Sequence, residues 1–463
     1  MGQKQKPSAD PVTEPKKRRR VGFSDLDAGV EANECIKIYL VSSKEEVGVS
    51  DSFSIDPVDL NSFLDEDGKI YGYQGLKITI WISCISFHAY ADIKFQSTSD
   101  RGKGITDLKS ALQRIFAETL VENEDEFLQT FSTEKDFVRS AVSSGEVLQH
   151  KVSNGHISHS NQNLKAPASD LEVVRMIVGD MATGHLYSRL IPLVLLLVDG
   201  SNPIDVTDPR WELYLLIQKM DQKGDVQHRL LGFTAVYRFY HYPDSTRMRL
   251  SQILILPTYQ RKGYGSYLVE VLSKVAIAEN VHDFTVEEPL DSFQHVRTCV
   301  DIQHLLSCEP IQHAISSAVL HLKQGKLSKK IYASRFVPPA SAVEDVRKTL
   351  KINKKQFLQC WEILIYLGLD PIDKYMGDYT AIISNRVRED ILGKDSGTAG
   401  KRVIDVPSNY DPEVSFVMFR SHDGEPSSVQ MDGNQTNQEE QLQQLVDERI
   451  KEIKLIAEKV SLH

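Results

Sequence analysis

Three elements in immediate succession constrain this chain most: an apolar strand, a glycine loop and an amphipathic helix. Ser251-Gln252-Ile253-Leu254-Ile255-Leu256-Pro257 reads as the strand, and Gln260-x-x-Gly263-x-Gly265 follows it. From Ser266 to about Glu279, Leu268, Val271, Leu272, Val275 and Ala276 fall at i, i+3, i+4, i+7 and i+8, one apolar stripe facing a sheet. Glycines at such a junction let backbone N–H groups cradle a pyrophosphate, and the helix dipole favours its negative charge. Arg261 and Lys262 add cations that can contact phosphate directly. Spacing alone is a weak signal, since a chain this long produces roughly 0.4 such matches by chance. The context is what carries it. Strand-like runs recur at Leu193–Val198, Trp211–Gln218, Leu230–Tyr240 and Arg247–Leu256. Short polar turns at Asp221–Asp225 and Pro243–Thr246 join the last three into an antiparallel meander. A further strand, Asp283–Val286, ends at Glu287-Glu288-Pro289. The glycines match neither a dinucleotide fingerprint nor a nucleotide P-loop.

The chain has 463 residues, enough for two to four domains. Its longest apolar run, Leu190–Val198, falls far short of the ~20 residues a membrane span needs. The first residues lack the apolar core of a signal peptide. Five scattered cysteines without a CxxC pair read as reduced thiols of a cytosolic or nuclear protein. Net charge is −10, unevenly spread: residues 1–20 carry +5, and residues 21–100, with fourteen acids against five bases, carry −9. A nucleic-acid binder would be basic over its folded part, so no direct nucleic-acid contact is expected. Such acidity serves solubility or a basic partner equally well.

Residues 1–34 read as a disordered arm containing the nuclear-import-like run Pro15-Lys16-Lys17-Arg18-Arg19-Arg20-Val21. An N-terminal domain is expected over 35–150, with strands at Ile36–Leu40 and Leu76–Ile82 and helices over Asp107–Leu120 and Glu124–Thr130. The Ser/Asn/His-rich segment Ser143–Asn163 reads as a linker to a core at 165–289. A helical domain at 290–393 opens helices with the capping patterns Ser341-x-x-Glu344 and Asn353-x-x-Gln356. A flexible linker at 394–437 leads to an amphipathic helix at 438–463, whose stripe of Val446, Ile450, Ile453, Ala457 and Val460 suits either its own domain or a partner. His156-x-x-His159, and Cys299, His304, Cys308 and His313, lack metal-ligand spacing on one face, so no metal is expected.

The strand, Q/R-x-x-G-x-G/A loop and helix resemble the acetyl-CoA-binding motif of the GNAT N-acetyltransferases. Further segments are similar to the type B histone acetyltransferase catalytic subunits: Tyr71–Ile78, Ile204-Asp205-Val206 with Trp211, Val236-Tyr237 with Tyr240, Tyr242-Pro243-Asp244, Val286–Pro289 and Lys351-Ile352-Asn353-Lys354. Together these cover roughly residues 35 to 370. The resemblance implies an α+β fold: a GNAT core with a mixed, mostly antiparallel sheet and helices, flanked by an N-terminal α/β domain and a C-terminal helical domain. It also implies transfer of acetyl from acetyl-CoA to lysines in the N-terminal tail of newly made, soluble histone 4. That reaction needs a base, because a lysine amine with an ordinary pKa near ~10.4 must lose a proton before attacking a thioester.

By position, Glu287 matches the family's catalytic glutamate and Glu288 its neighbouring acid, while Asp199 stands where the family has a third glutamate. Acetyl-CoA is expected along Ile253, Leu254 and Ile255 and at Gln260, Arg261, Lys262, Gly263, Tyr264, Gly265 and Ser266. The histone tail is expected at Asp65, Glu66 and Asp67 and at Tyr237, Arg238 and Phe239. Arg238 departs from what a basic tail would welcome unless it points away. A WD-repeat histone chaperone is the implied partner, and nucleus and cytoplasm the implied locations. A GNAT enzyme for another amine, or a non-catalytic histone escort, remain the alternatives.

Overall fold

The computed structural model describes residues 29–49, 51–58, 60, 68–100, 104–152, 170–222, 225–323, 336–369, 373–392 and 435–461. The basic run at Pro15–Val21, the triplet Asp65–Asp67, His156 and His159 lie outside the described residues. The chain divides into two compact units: Met1–Ser144 with Asp180–Val206 and Lys219–Leu230, and Gly145–Gly179 with Thr207–Gln218 and Leu231–His463.

The first unit is built on a four-stranded sheet. Strands β1 (Ile36–Val41), β2 (Ser54–Ile55), β3 (Lys77–Ser83) and β4 (Ala89–Lys94) lie in the order β2-β1-β3-β4. β1 and β3 run parallel in the register Ile36↔Ile78 to Val41↔Ser83, so their alternating isoleucines share one buried face. On the other face Tyr39 stacks on Trp81 at 4.5 Å between ring centroids. Helices α1 (Leu108–Phe116), α2 (Glu124–Thr133) and α3 (Phe137–Val142) follow. The first two start where Asp107 and Asn123 accept N–H bonds from Ser110 and Glu126.

The apolar run Leu193–Val198 is not the expected strand. It ends helix α4 (Met181–Leu197), and Val198 N–H still donates to Val194 C=O at 3.0 Å. It is part of the nine-residue apolar run Leu190–Val198, which carries no period of its own. The helical signal starts upstream, in buried Thr183, Leu186, Tyr187 and Leu190, and continues into Leu193 and Val194. Asp199 is therefore an exposed residue just past a helix, not at a strand end.

A six-stranded sheet is built mainly from the second unit, the ends of two strands at Lys219–Leu230 being counted to the first. Its strands are β5 (Glu146–Val152), β6 (Asp170–Ile177), β7 (Trp211–Gln222), β8 (Asp225–His241), β9 (Ser245–Ile255) and β10 (Phe284–Val286), ordered β10-β9-β8-β7-β6-β5. β5 and β6 add an antiparallel pair that the sequence reading lacks, and β5 occupies the start of the expected linker. Leu171–Val174 is a continuous buried run, which periodicity does not reveal. Helix α5 (Tyr264–Ala278) buries the expected stripe from Leu268 to Ala276 on this sheet.

Helices α6 (Asp291–Leu306), α7 (Glu309–Lys323), α8 (Ala340–Leu350), α9 (Lys354–Gly368), α10 (Asp373–Leu392) and α11 (Gln435–Ser461) complete the unit. The Ser341 capping box does not form. α8 begins at Ala340 after Pro339, and Glu344 instead pairs with Arg347 at 2.7 Å. Asn353 does cap α9, accepting from Gln356 N–H at 3.0 Å. α11 buries Val446, Ile453, Ala457 and Val460, with Ile450 partly covered, so its stripe is spent on its own domain. Buried Glu362 on α9 holds α11 through Arg449 at 2.7 Å and α10 through Arg386. Removing the acid takes a buried carboxylate from both arginines, and among the described residues Arg449 keeps only the more exposed Glu452, at 2.5 Å, as a carboxylate partner. Glu362→Ala is expected to cost about 3 kcal/mol, read as faster hydrogen exchange of α11 amides and a lower urea midpoint.

Candidate active site

The sheet comes apart at one place. β9 and β10 pair in parallel through Met248↔Phe284, Arg249↔Thr285 and Leu250↔Val286, and there the pairing stops. Glu287 N–H makes the last link, to Leu250 C=O at 2.9 Å. Among the described residues, no strand then flanks Ser251–Ile255 on that side. On its other side β9 stays paired with β8 as far as Gly232↔Ile255, with a shift of register between Ala235 and Val236. That shift makes Ser251 the extra residue of a bulge, and its hydroxyl is buried without a partner. The open edge thus offers an extended ligand unpaired backbone groups, beside half-buried Ile253, Ile255 and Phe293.

The glycine loop stands at the far end of that edge. Gln260 Nε2 donates to Ile255 C=O at 2.9 Å and closes the loop back on the strand. Arg261 (φ 62°) and Gly263 (φ 83°) are left-handed, an alternation that gathers successive N–H groups into a concave nest. Gly263 is the N-cap of α5 and has no side chain to satisfy the first N–H groups of the helix. A Cβ there would meet nothing within 4 Å, so the space in front of the helix is open. Tyr264, Gly265 and Ser266 form its first turn. Arg261 is exposed, whereas the Lys262 amine donates to Thr258 C=O at 3.2 Å, which ties it to the loop. Pyrophosphate and an extended thioester arm both fit these residues.

Glu287 and Glu288 sit exposed at the parting point, and Glu288 holds the strained value φ 35°. Register fixes which face they share with the other candidates. Tyr237 opposes Arg249, and Arg249 opposes Thr285, two residues before Glu287. Opposed residues and i, i+2 neighbours lie on one face, so Tyr237 and Thr285 share the side toward which Glu287 continues.

That face carries an aromatic wall. Tyr237 meets Trp211 edge-on at 4.8 Å and Phe239 at 4.6 Å between centroids. Arg249 lies over the Phe239 ring at 4.3 Å. The Tyr237 hydroxyl donates to Asp208 at 3.0 Å. Trp211 and Asp208 were not assigned as site residues from sequence, although the strand alternation of Trp211 and the nearby acid were both visible.

Arg238 points to the opposite face. It donates to Glu212 at 3.0 Å and pairs with Glu279, at the end of α5, at 2.8 Å. Arg175 pairs with the same two acids, and Tyr214 donates to Glu212 at 2.7 Å. Burial, reinforced by the Glu212 charge, pushes the Tyr214 hydroxyl far above its ordinary value, so it remains a donor. Arg238 is thus committed to an internal network and leaves the aromatic wall free of its charge. The substrate assignment made for it from sequence has no side chain on that face to support it.

An open sheet edge, a nest at a helix N-terminus and a carboxylate where two parallel strands part together define an acetyltransferase of the GNAT class, and residues 205–292 match the Acetyltransferase (GNAT) family. Residues 28–199 match the Histone acetyl transferase HAT1 N-terminus. The chain is 65% identical over 463 residues to the histone acetyltransferase type B catalytic subunit of Arabidopsis thaliana, covering 100% of this chain and 98% of that protein. It is 48% identical to the Zea mays protein of the same description, over 99% and 96% of the two chains. The human counterpart is 25% identical over 58% of this chain and 62% of its own. This chain belongs to the family of type B histone acetyltransferase catalytic subunits.

The wall has its own titration signature. Hydrogen bonds from Arg210 and the Tyr237 hydroxyl hold the Asp208 carboxyl down at about 2. A depressed folded value stabilises above the ordinary carboxylate pKa of ~3.9 and is lost as pH falls through about 2. Carboxyl NMR is expected to place the Asp208 midpoint near 2, and Tyr237→Phe to move it upward.

Proposed function

We propose that this enzyme transfers acetyl directly from acetyl-CoA to lysine ε-amines of the N-terminal tail of soluble histone 4, with Glu287 as general base. The observation that carries this reading is the position of Glu287. It is the first residue past the point where β9 and β10 part, bonded through its own N–H to Leu250 at the start of the open edge. Bound along Ile253–Ile255, with its pyrophosphate at the 260–266 nest, acetyl-CoA would supply the acetyl group as an activated thioester. Deprotonating a lysine at neutral pH costs about 5 kcal/mol, which is what a base beside the attacking nitrogen offsets. The Glu287 carboxylate accepts that proton, and its exposure gives the proton a route to water. Glu288 adds negative charge that holds the incoming ammonium.

Direct transfer fits the thiols. Cys35, Cys84, Cys299 and Cys360 are buried, and burial pushes Cys35 to about 11 and Cys84 to about 12. None is a thiolate ready to take the acetyl group. The tail would lie against Trp211, Tyr237 and Phe239, with Asp65–Asp67 as the acidic contact we assign to its basic residues. Asp199 is left a supporting electrostatic role. The Pro15–Val21 run is the import signal in this reading, and a WD-repeat histone chaperone is the partner subunit, meeting the exposed side of α11.

Three measurements test this. With labelled acetyl-CoA and a histone 4 tail peptide, Glu287→Gln is expected to lose at least about 10²-fold in kcat while keeping its fold. Gly263→Val, which forces a β-branched residue to φ 83° in the nest, is expected to raise KM for acetyl-CoA with little change in kcat. Mass spectrometry of products from mixed histones, peptides and polyamines is expected to show acetyl-lysine in histone 4. Acetylated polyamine as the main product would favour the other-amine reading, and tail binding without turnover the escort.

A further inference from the structure

The Lys351–Lys354 motif has no part in the reaction described so far, yet it touches the strand that carries Glu287. β10 is only three residues long, and a strand so short is poorly fixed by one neighbour. Its first residue, Phe284, is gripped on the side away from β9. Phe284 N–H donates to Lys351 C=O at 2.7 Å, and Phe284 forms a parallel bridge with Ile352. Phe284 C=O accepts from Arg297 Nη2 at 3.2 Å and from Asn353 Nδ2 at 3.5 Å.

The gripping groups are themselves held. Arg297 is 5% exposed and forms an ion pair with Asp301 at 3.7 Å, and Asp301 accepts a hydrogen bond from Gln356 Nε2 at 2.8 Å. Asn353 caps α9 with the other end of its amide. Lys351 is left-handed at φ 60°, and its amine reaches Asn280 at 2.5 Å. The buried Arg297 thus divides its guanidinium between the Asp301 charge and the Phe284 carbonyl, so that carbonyl is held by a group that is itself fixed.

We infer that Arg297, together with the Lys351–Asn353 segment, is a positioning clamp that sets the aim of Glu287 by fixing the peptide groups of Phe284. The inference rests on the reading of Glu287 as the base. The lever is long enough to matter. Glu287 lies three residues on, about 10 Å at ~3.3 Å per residue. A tilt of about 6° at Phe284 moves it about 1 Å, and a displacement of that size can cost about 10²-fold in rate. The clamp touches neither the nest nor the aromatic wall, so its loss acts on kcat and not on binding.

The test uses the full chain and steady-state kinetics with acetyl-CoA and a histone 4 tail peptide. Asn353→Ser keeps an oxygen to cap α9 and removes the donor to Phe284; Arg297→Lys keeps the charge beside Asp301 and removes the fork. Each is expected to lower kcat about 3- to 10-fold, with both KM values within about 2-fold of the parent. Trp361→Phe is the control. It loses a buried bond to Phe336 C=O at 2.6 Å in the same helical region without touching β10, and is expected to lower Tm with kcat unchanged. In a Glu287→Gln background the clamp substitutions are expected to have no further effect, since they act through that carboxylate. Unchanged kcat in folded Asn353→Ser, or equal kcat losses in all three variants in step with Tm, overturns the clamp. Full turnover by Glu287→Gln alone instead overturns the base, so the two failures are told apart. If Arg297→Lys does not fold, Asn353→Ser decides.

Discussion

Everything at this site follows from a parallel pairing that ends early. Three residues of β10 pair with β9, and the next five residues of β9 have lost their partner on that side. Unpaired backbone groups in the middle of a sheet are costly unless a ligand or water meets them. The fold tolerates the gap because the bulge at Ser251 and the helix start at Gly263 sit at its two ends. The same gap has a carboxylate at one end and a nest of N–H groups at the other. In the proposed reading, a binding slot, a base and an anion site thus arise from one interruption in a hydrogen-bond ladder.

Charge is sorted by the pleat of β8. Arg238 turns toward α5 and is neutralised by Glu212 and Glu279, while Tyr237 and Phe239 turn the other way. Desolvated arginines with bidentate partners cost little when paired and much when orphaned. The network therefore anchors the C-terminal end of α5, where Glu279 alone would be unfavourable to the helix dipole. The N-terminal end is left uncapped for an anion.

Much of this was legible in the sequence because the central elements are long and regularly patterned. The stripe of α5, the meander and the glycine loop each state their period within ten or so residues. Alternation along a strand also sends Arg238 away from Tyr237, and grouping the two as substrate contacts passed over that rule. What was not legible lacked a local signal. The run ending α4 is apolar all round, so a strand and a buried helix read alike. β5 and β6 are specified by each other across a polar stretch, and the Ser251 bulge exists only in the register of two strands. Trp211 and Asp208 joined the site through a neighbour on another strand, which no spacing encodes.

The burial of four of the five cysteines has a kinetic meaning in the proposed mechanism. With no buried thiol activated to hold an acetyl group between substrates, direct transfer leaves the free enzyme no charged-up state that outlives its donor. Under the proposed direct transfer, donor and amine meet on the open edge at the same time, so double-reciprocal lines are expected to intersect and not to run parallel. Turnover then follows the product of two occupancies, and an acetyl-CoA shortage is felt at once as unmodified substrate.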